Sequence, residues 1–198
     1  FGSRCRNSAF SHNGGHVYLC NPDNDITGRI EFHSGVLHFY SDANLGPPPD
    51  TATPGYLQEN WGRIQLEKPD GKNLNVITIH PNRGISGDGF FVNAGVELRY
   101  DGVTPPLQFD APRHSATTIR LGGTATNVSG SLHTRNGVLL IADSDAALGG
   151  GNRRLHAYHT SFDFNGHSTA AGMQVYCEDA AAPGFFNNDP AREAKLSG

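Results

Sequence analysis

The sequence predicts an all-β protein, and three features carry that expectation. Roughly a dozen apolar runs of about 4 to 6 residues recur along the chain, most alternating in and out with a period of two. Glycine and proline, 25 and 12 of 198 residues, sit mostly between those runs rather than inside them. No stretch repeats its apolar residues at the 3.6-residue spacing of an amphipathic helix.

The elements follow in order. His16–Cys20 is a strand after the Asn13-Gly14-Gly15 turn. Over Ile26–Phe32, Ile26, Gly28, Ile30 and Phe32 share one parity, as a half-buried strand requires, and Val36–Tyr40 follows the Ser34-Gly35 turn. Pro47, Pro48, Pro49 and Pro54 predict that 47–56 lies outside the sheets, because proline cannot donate to a ladder. Further strands are expected at Arg63–Glu67, Leu74–Ile79, Phe90–Val92, Val96–Tyr100, Thr117–Leu121, Val138–Ala142, Leu155–His159, Ser161–Asn165 and Gln174–Cys177. Between Leu107 and Ser115 only Leu107 and Phe109 read as core. Asp189–Lys195 is a short helix capped by Asp189, or a frayed tail.

One strand-and-corner unit occurs twice. Ser34-Gly-Val-Leu-His-Phe-Tyr-Ser-Asp-Ala-Asn-Leu-Gly46 matches Asn136-Gly-Val-Leu-Leu-Ile-Ala-Asp-Ser-Asp-Ala-Ala-Leu-Gly149 when one residue is inserted near Ser144. A sandwich and a closed barrel fit the strand rhythm, but glycine at nearly every corner and this duplication favour a right-handed β-solenoid. Residues 1–25 then form an N-terminal cap or lead-in, 26–178 the solenoid-like domain and 179–198 a tail.

Composition narrows the partners. Charged residues are 17% of the chain, against about 25% in average proteins. The net charge of −4 and scattered Lys and Arg leave no basic stripe for nucleic acid. Nothing approaches the ~20 consecutive apolar residues of a membrane helix, so no membrane insertion is expected. The chain opens on Phe1, which reads as a processed or excised piece of a longer one. Cys5, Cys20 and Cys177 fit no metal spacing, and neither metal nor cofactor is expected. Cys5 and Cys20 are close enough in sequence for a disulfide, with three buried thiols as the other reading, and Cys177, the odd one out, could pair with either of them or with another chain.

Leu121, Gly123-Thr-Ala-Thr-Asn127, Ser129-Gly130, Asn136–Ile141 and Asp145-Ala-Ala-Leu-Gly149 together resemble the passenger-associated repeat of bacterial autotransporters, a family of secreted right-handed β-solenoids. Asn82-Arg83-Gly84-Ile85, Ala94–Leu98 and Asp101-Gly102-Val103 resemble the segment between such repeats. The resemblance covers about residues 30–170. It implies a secreted or surface-displayed passenger with a structural or adhesive role.

Candidate chemistry is sparse. Asp143, Asp145 and Asp163 could perform polysaccharide chemistry as paired carboxylates, but acids at corners more commonly accept turn N–H bonds, and Asp42 repeats Asp145 in the earlier copy. Ser34, His33 and Asp42 supply the letters of a hydrolytic triad without a strand-turn-helix to expose a nucleophile. No catalytic residue is assigned. His156 and His159 point to opposite faces of a strand, which disfavours a shared metal, whereas His156 with Tyr158 and His38 with Tyr40 share faces. These four residues predict an exposed strip on which sugar rings could stack. The expected function is that of an extracellular or cell-surface structural or adhesive solenoid, a spacer or a self-stacking, filament-forming unit. Its partners are itself or a surface glycan. A carbohydrate-binding module and a polysaccharide-active enzyme are the alternatives.

Overall fold

A computed structural model describes residues 10–87, 89–102, 108–112, 117–123, 130–145, 147, 153–169, 173–177 and 184–194. The strands are β1 (Phe10–Leu19), β2 (Ile30–Phe39), β3 (Thr53–Glu59), β4 (Gly62–Leu66), β5 (Asn75–Ile79), β6 (Arg83–Ser86), β7 (Gly89–Val92) and β8 (Val96–Tyr100). They continue as β9 (Gln108–Asp110), β10 (Thr117–Leu121), β11 (Gly130–Arg135), β12 (Val138–Ala142), β13 (Arg153–Tyr158), β14 (Ser161–Asp163), β15 (Gln174–Cys177) and β16 (Phe185–Phe186). A 3-10 turn occupies Asp42–Leu45.

Each strand pairs in parallel with the strand one turn away, never with its neighbour in sequence except for β1 with β2 and β2 with β3. The result is a β-solenoid of about 6 turns. A sandwich built from antiparallel hairpins has no place in that pairing. The larger sheet runs β15-β13-β11-β9-β7-β4-β2, with β1 on β2 and with β3 and β6 continuing from β2. The smaller runs β16-β14-β12-β10-β8-β5.

Alternation along each strand becomes a column across the sheet, because parallel in-register pairing stacks like parity on like. In the smaller sheet Ile77, Leu98, Ile119, Leu140, Phe162 and Phe185 align. In the larger, Leu37, Ile64, Phe90, Phe109, Thr134 and Ala157 do. All but the terminal Phe185 are buried, and together they make one continuous core.

Three local expectations are corrected. The Ser34-Gly35 turn bends a strand rather than ending it. Gly35 adopts φ 88°, where a Cβ would stand 2.1 Å from Gly15 O, so β2 passes the corner, pairing first with β3 and then with β4. Residues 47–56 are not wholly outside the sheets, since β3 begins at Thr53 and contains Pro54. Proline is tolerated there because the β3–β6 register is irregular between Thr53 and Leu57, so no ladder bond is asked of its nitrogen. The end near Asp189 is a single turn, with the Ala191 N–H on Asp189 Oδ1, and not a helix. The two copies of the duplicated unit, which the sequence assigns to no particular sheet, lie on different ones, Val36–Phe39 in β2 and Val138–Ala142 in β12. What they share is a positive-φ glycine just before the Val-Leu pair, Gly35 within β2 and Gly137 ahead of β12. β1 and β16 also join the stack, which carries the solenoid into both flanking segments.

Candidate functional site

The four His/Tyr residues occupy three environments. His38 faces outward from β2, yet it is only 3% exposed. Tyr18 of the preceding turn lies flat over it with ring centroids 4.1 Å apart. Its Nε2 is 2.8 Å from His16 Nδ1, and its Nδ1 is 2.7 Å from Glu67 Oε1. A chain of three polar groups thus clamps β1, β2 and β4 together, and His38 offers no face to a ligand. Up the sheet, Gln65, Phe91 and Asp110 follow it in register.

His156 lies at the other end, on β13, in an aligned stack between His133 (4.6 Å) and Tyr176 (4.9 Å). Tyr158 shares its face and carries the Arg135 guanidinium 5.4 Å from its ring centre. The expected strip is therefore two separated clusters, one of them covered. Both arise because parallel register sets outward residues of successive turns directly above one another.

Tyr40 stands apart from both. It lies one residue past β2, half-buried, in the wall of a cleft of about 490 Å3 where the chain leaves β1, β2 and β4. Cys20 lines the same cleft, and the Tyr40 pKa is raised chiefly by burial, then by Cys20 and Glu67. Cys20 is exposed and free, as is Cys177 on β15, while Cys5 lies outside the described residues. Asn44 and Asn75 form the cleft floor. Hydrophobic periodicity gives no sign of such buried amides, and the only local hint is the turn-forming Asp42-Ala-Asn44 sequence.

The carboxylates work as links between turns. Asp143 Oδ1 accepts from Arg120 Nη1 (2.9 Å) and Asn165 Nδ2 (3.1 Å). Asp145 Oδ1 accepts the Ser168 N–H at 3.0 Å and lies 3.1 Å from His167 Nδ1, contacts that hold its pKa below the ordinary carboxylate value. Asp163, buried, accepts the Asn165 and Asn188 N–H groups on Oδ1 and Asn188 Nδ2 on Oδ2. Among the triad letters, Asp42 pairs with Arg83 and His33 with Glu31. No group of three or more His, Cys, Asp or Glu side chains is placed to hold a metal among the described residues.

The chain matches no protein-family model, no curated protein and no solved structure.

Asp163 gives a direct check on the linking role. Asp163→Ala strands three donors, two of them on Asn188, so a loss of about 2 to 3 kcal/mol is expected. Hydrogen exchange should show the Asn188 amide deprotected ahead of the β12 amides. Unchanged protection at Asn188 would remove Asp163 from this role.

Proposed function

We propose that this chain is a structural or adhesive β-solenoid of the extracellular space or cell surface, a spacer whose turns extend by end-to-end stacking, and that it acts without catalysis. The observation that supports this most is the state of the last turn. Phe185 stands at the end of the Ile77–Phe162 inward column, where every earlier member is buried, yet it is 44% exposed. In the larger sheet Cys177 continues the Thr134–Ala157 column and is exposed too. Among the described residues no further turn covers either position, and both lie beside the outer edges of β15 and β16.

A parallel edge is a template for one more strand. The occupant that suits the β15 edge is the β1 edge of a second copy, the opposite end of the larger sheet, where Tyr18 is 56% exposed, which brings that copy's first turn over the end that carries Phe185. Covering the exposed half of Phe185 contributes about 1 kcal/mol, before the backbone bonds gained along two strands. A solenoid fold is also compatible with the secreted passenger family whose repeat the corners resemble. The engagement of Asp143, Asp145 and Asp163 in corner bonds supports a role without chemistry.

Light scattering and negative-stain microscopy across concentration test this reading. Discrete stacks or filaments are expected from the parent chain, with the size increase lost in Phe185→Ser. Trp61 is 95% exposed but lies mid-stack, so Trp61→Ser should leave particle size unchanged, separating end stacking from general stickiness. A parent chain that stays monomeric at every concentration overturns the stacking.

A further inference from the structure

The cleft beside Tyr40 has a built interior. Asn44 is 3% exposed, and its amide oxygen is fully committed, accepting from Tyr40 N (3.0 Å), Ser41 N (2.9 Å) and Ser41 Oγ (3.2 Å). Its amide nitrogen has no partner among the described residues. Asn75, 9% exposed, shows the converse. Its nitrogen donates to Tyr40 O (2.8 Å) and Glu67 O (2.9 Å), while its amide oxygen takes no donor among the described residues. The floor therefore presents donors from one buried amide and an acceptor from another, both held by bonds that fix their orientation. Neither open atom is among the side-chain atoms buried without a partner, so both face the solvent of the cleft, where a ligand's polar groups could take the place of water.

The walls are of another character. Tyr40, Pro22 and Pro69 supply apolar surface, and the exposed rim carries one anion, Asp70, and one cation, Lys72. The volume lies within the ~300–1,000 Å3 span of small-molecule sites. An occupant must have one apolar face and an edge of groups that both donate and accept, and it gains nothing from net charge. A pyranose ring has that chemistry: C–H bonds on its faces and hydroxyls around its rim.

We propose that this cleft binds a neutral saccharide, one pyranose ring seated against Tyr40 with its hydroxyls on Asn44 and Asn75. Sugar binding here does not require stacking, and a chain that never stacks could still bind sugar. Glycan recognition of this kind would give the solenoid an adhesive surface at one corner.

The test titrates the full chain, isotope-labelled, with methyl glycosides of glucose, galactose, mannose and N-acetylglucosamine and their linear trisaccharides, with galacturonate for comparison. The side-chain amide signals of Asn44 should shift saturably with at least one neutral sugar and not with galacturonate. Tyr40→Ala should weaken that binding by about tenfold or more, as loss of a central aromatic contact does, while Tyr40→Phe and Tyr158→Ala should leave it within about twofold. Cys20 gives a readout that needs no variant. The bound sugar should slow alkylation of Cys20 several-fold while Cys177, far along the stack, reacts at its usual rate. Silence of Asn44 toward every neutral sugar, a preference for galacturonate, or unprotected Cys20 at saturating sugar would each overturn the proposal.

Discussion

Arg83→Ala is expected to cost about 3 to 5 kcal/mol, the range for removing one partner of a buried ion pair. Arg83 opens β6 with a side chain that is 0% exposed, one of two fully buried arginines, with Arg153, in a core built mainly of apolar columns. Its Nη2 donates to Gly46 O, and its guanidinium lies 4.5 Å from the centre of the Tyr56 ring. Nε lies 3.0 Å from Asp42 Oδ1, near enough for charge pairing though off the line of a hydrogen bond. These contacts fasten the Asp42–Leu45 turn, which closes the first turns of the solenoid, to the strand one turn on. Alanine would leave Asp42 with only the His80 N–H (3.2 Å), expose Gly46 O to an empty space and unload the Tyr56 face.

For a chain of this length that loss corresponds to a fall in Tm of roughly 10 °C. Urea unfolding measures the free energy. Arg83→Lys should recover little, since a single ammonium cannot reach Gly46 O and Asp42 while lying over Tyr56. Converting the pair to Asp42→Asn with Arg83→Met should recover more than either single change, because no uncompensated charge stays buried. A loss below about 1 kcal/mol for Arg83→Ala would show that the pair holds nothing in place.

Strands whose own alternation names both faces, β5, β8 and β10, were legible in the residues, as was β12, a continuous apolar run, and all four lie where their sequences put them. β3, β6, β9, β11 and β16 were not. In a stack the partner of a strand is a whole turn away, so a strand can survive on very little of its own. β9 contributes Phe109 to the core, and its register comes from β7 and β11. The site residues divide in the same way. Alternation correctly turns His38 outward, but its burial depends on Tyr18 and His16 landing above it, which only the length of the intervening loop decides. Asn44, Asn75 and Arg83 are polar groups inside, invisible to any hydrophobic pattern until the turns around them close. The duplicated Gly-Val-Leu unit shows the reverse. Its local chemistry was legible, a left-handed glycine and then a strand, yet the same chemistry serves two different corners.

The register of the middle of the stack depends on one atom that is missing. Gly89 opens β7 at φ 136°, and a Cβ there would lie 1.9 Å from Gln108 O, the carbonyl of its partner residue on β9. No side chain can swing aside to relieve this, since the obstacle is backbone. The Gly89 N–H also donates to Glu59 Oε2 (3.1 Å), an acid that is 6% exposed. Gly89→Ala therefore has to push β7 and β9 apart, separating Phe90 from Phe109 and opening the column that joins the two halves of the larger sheet. Backbone strain costs about 1 to 3 kcal/mol, and parting the strands adds to it, so a total of about 4 kcal/mol or more is expected. Gly71 is the proper comparison, with φ 77° but nothing within 4 Å of the added atom, so Gly71→Ala should show the strain alone. Because each turn touches only its neighbours, the Gly89 variant should also unfold in two steps, the turns before β7 parting from those after β9. A single transition with a loss no greater than that of Gly71→Ala would mean that the solenoid absorbs the added atom, and that its turns are held by something other than close backbone contact.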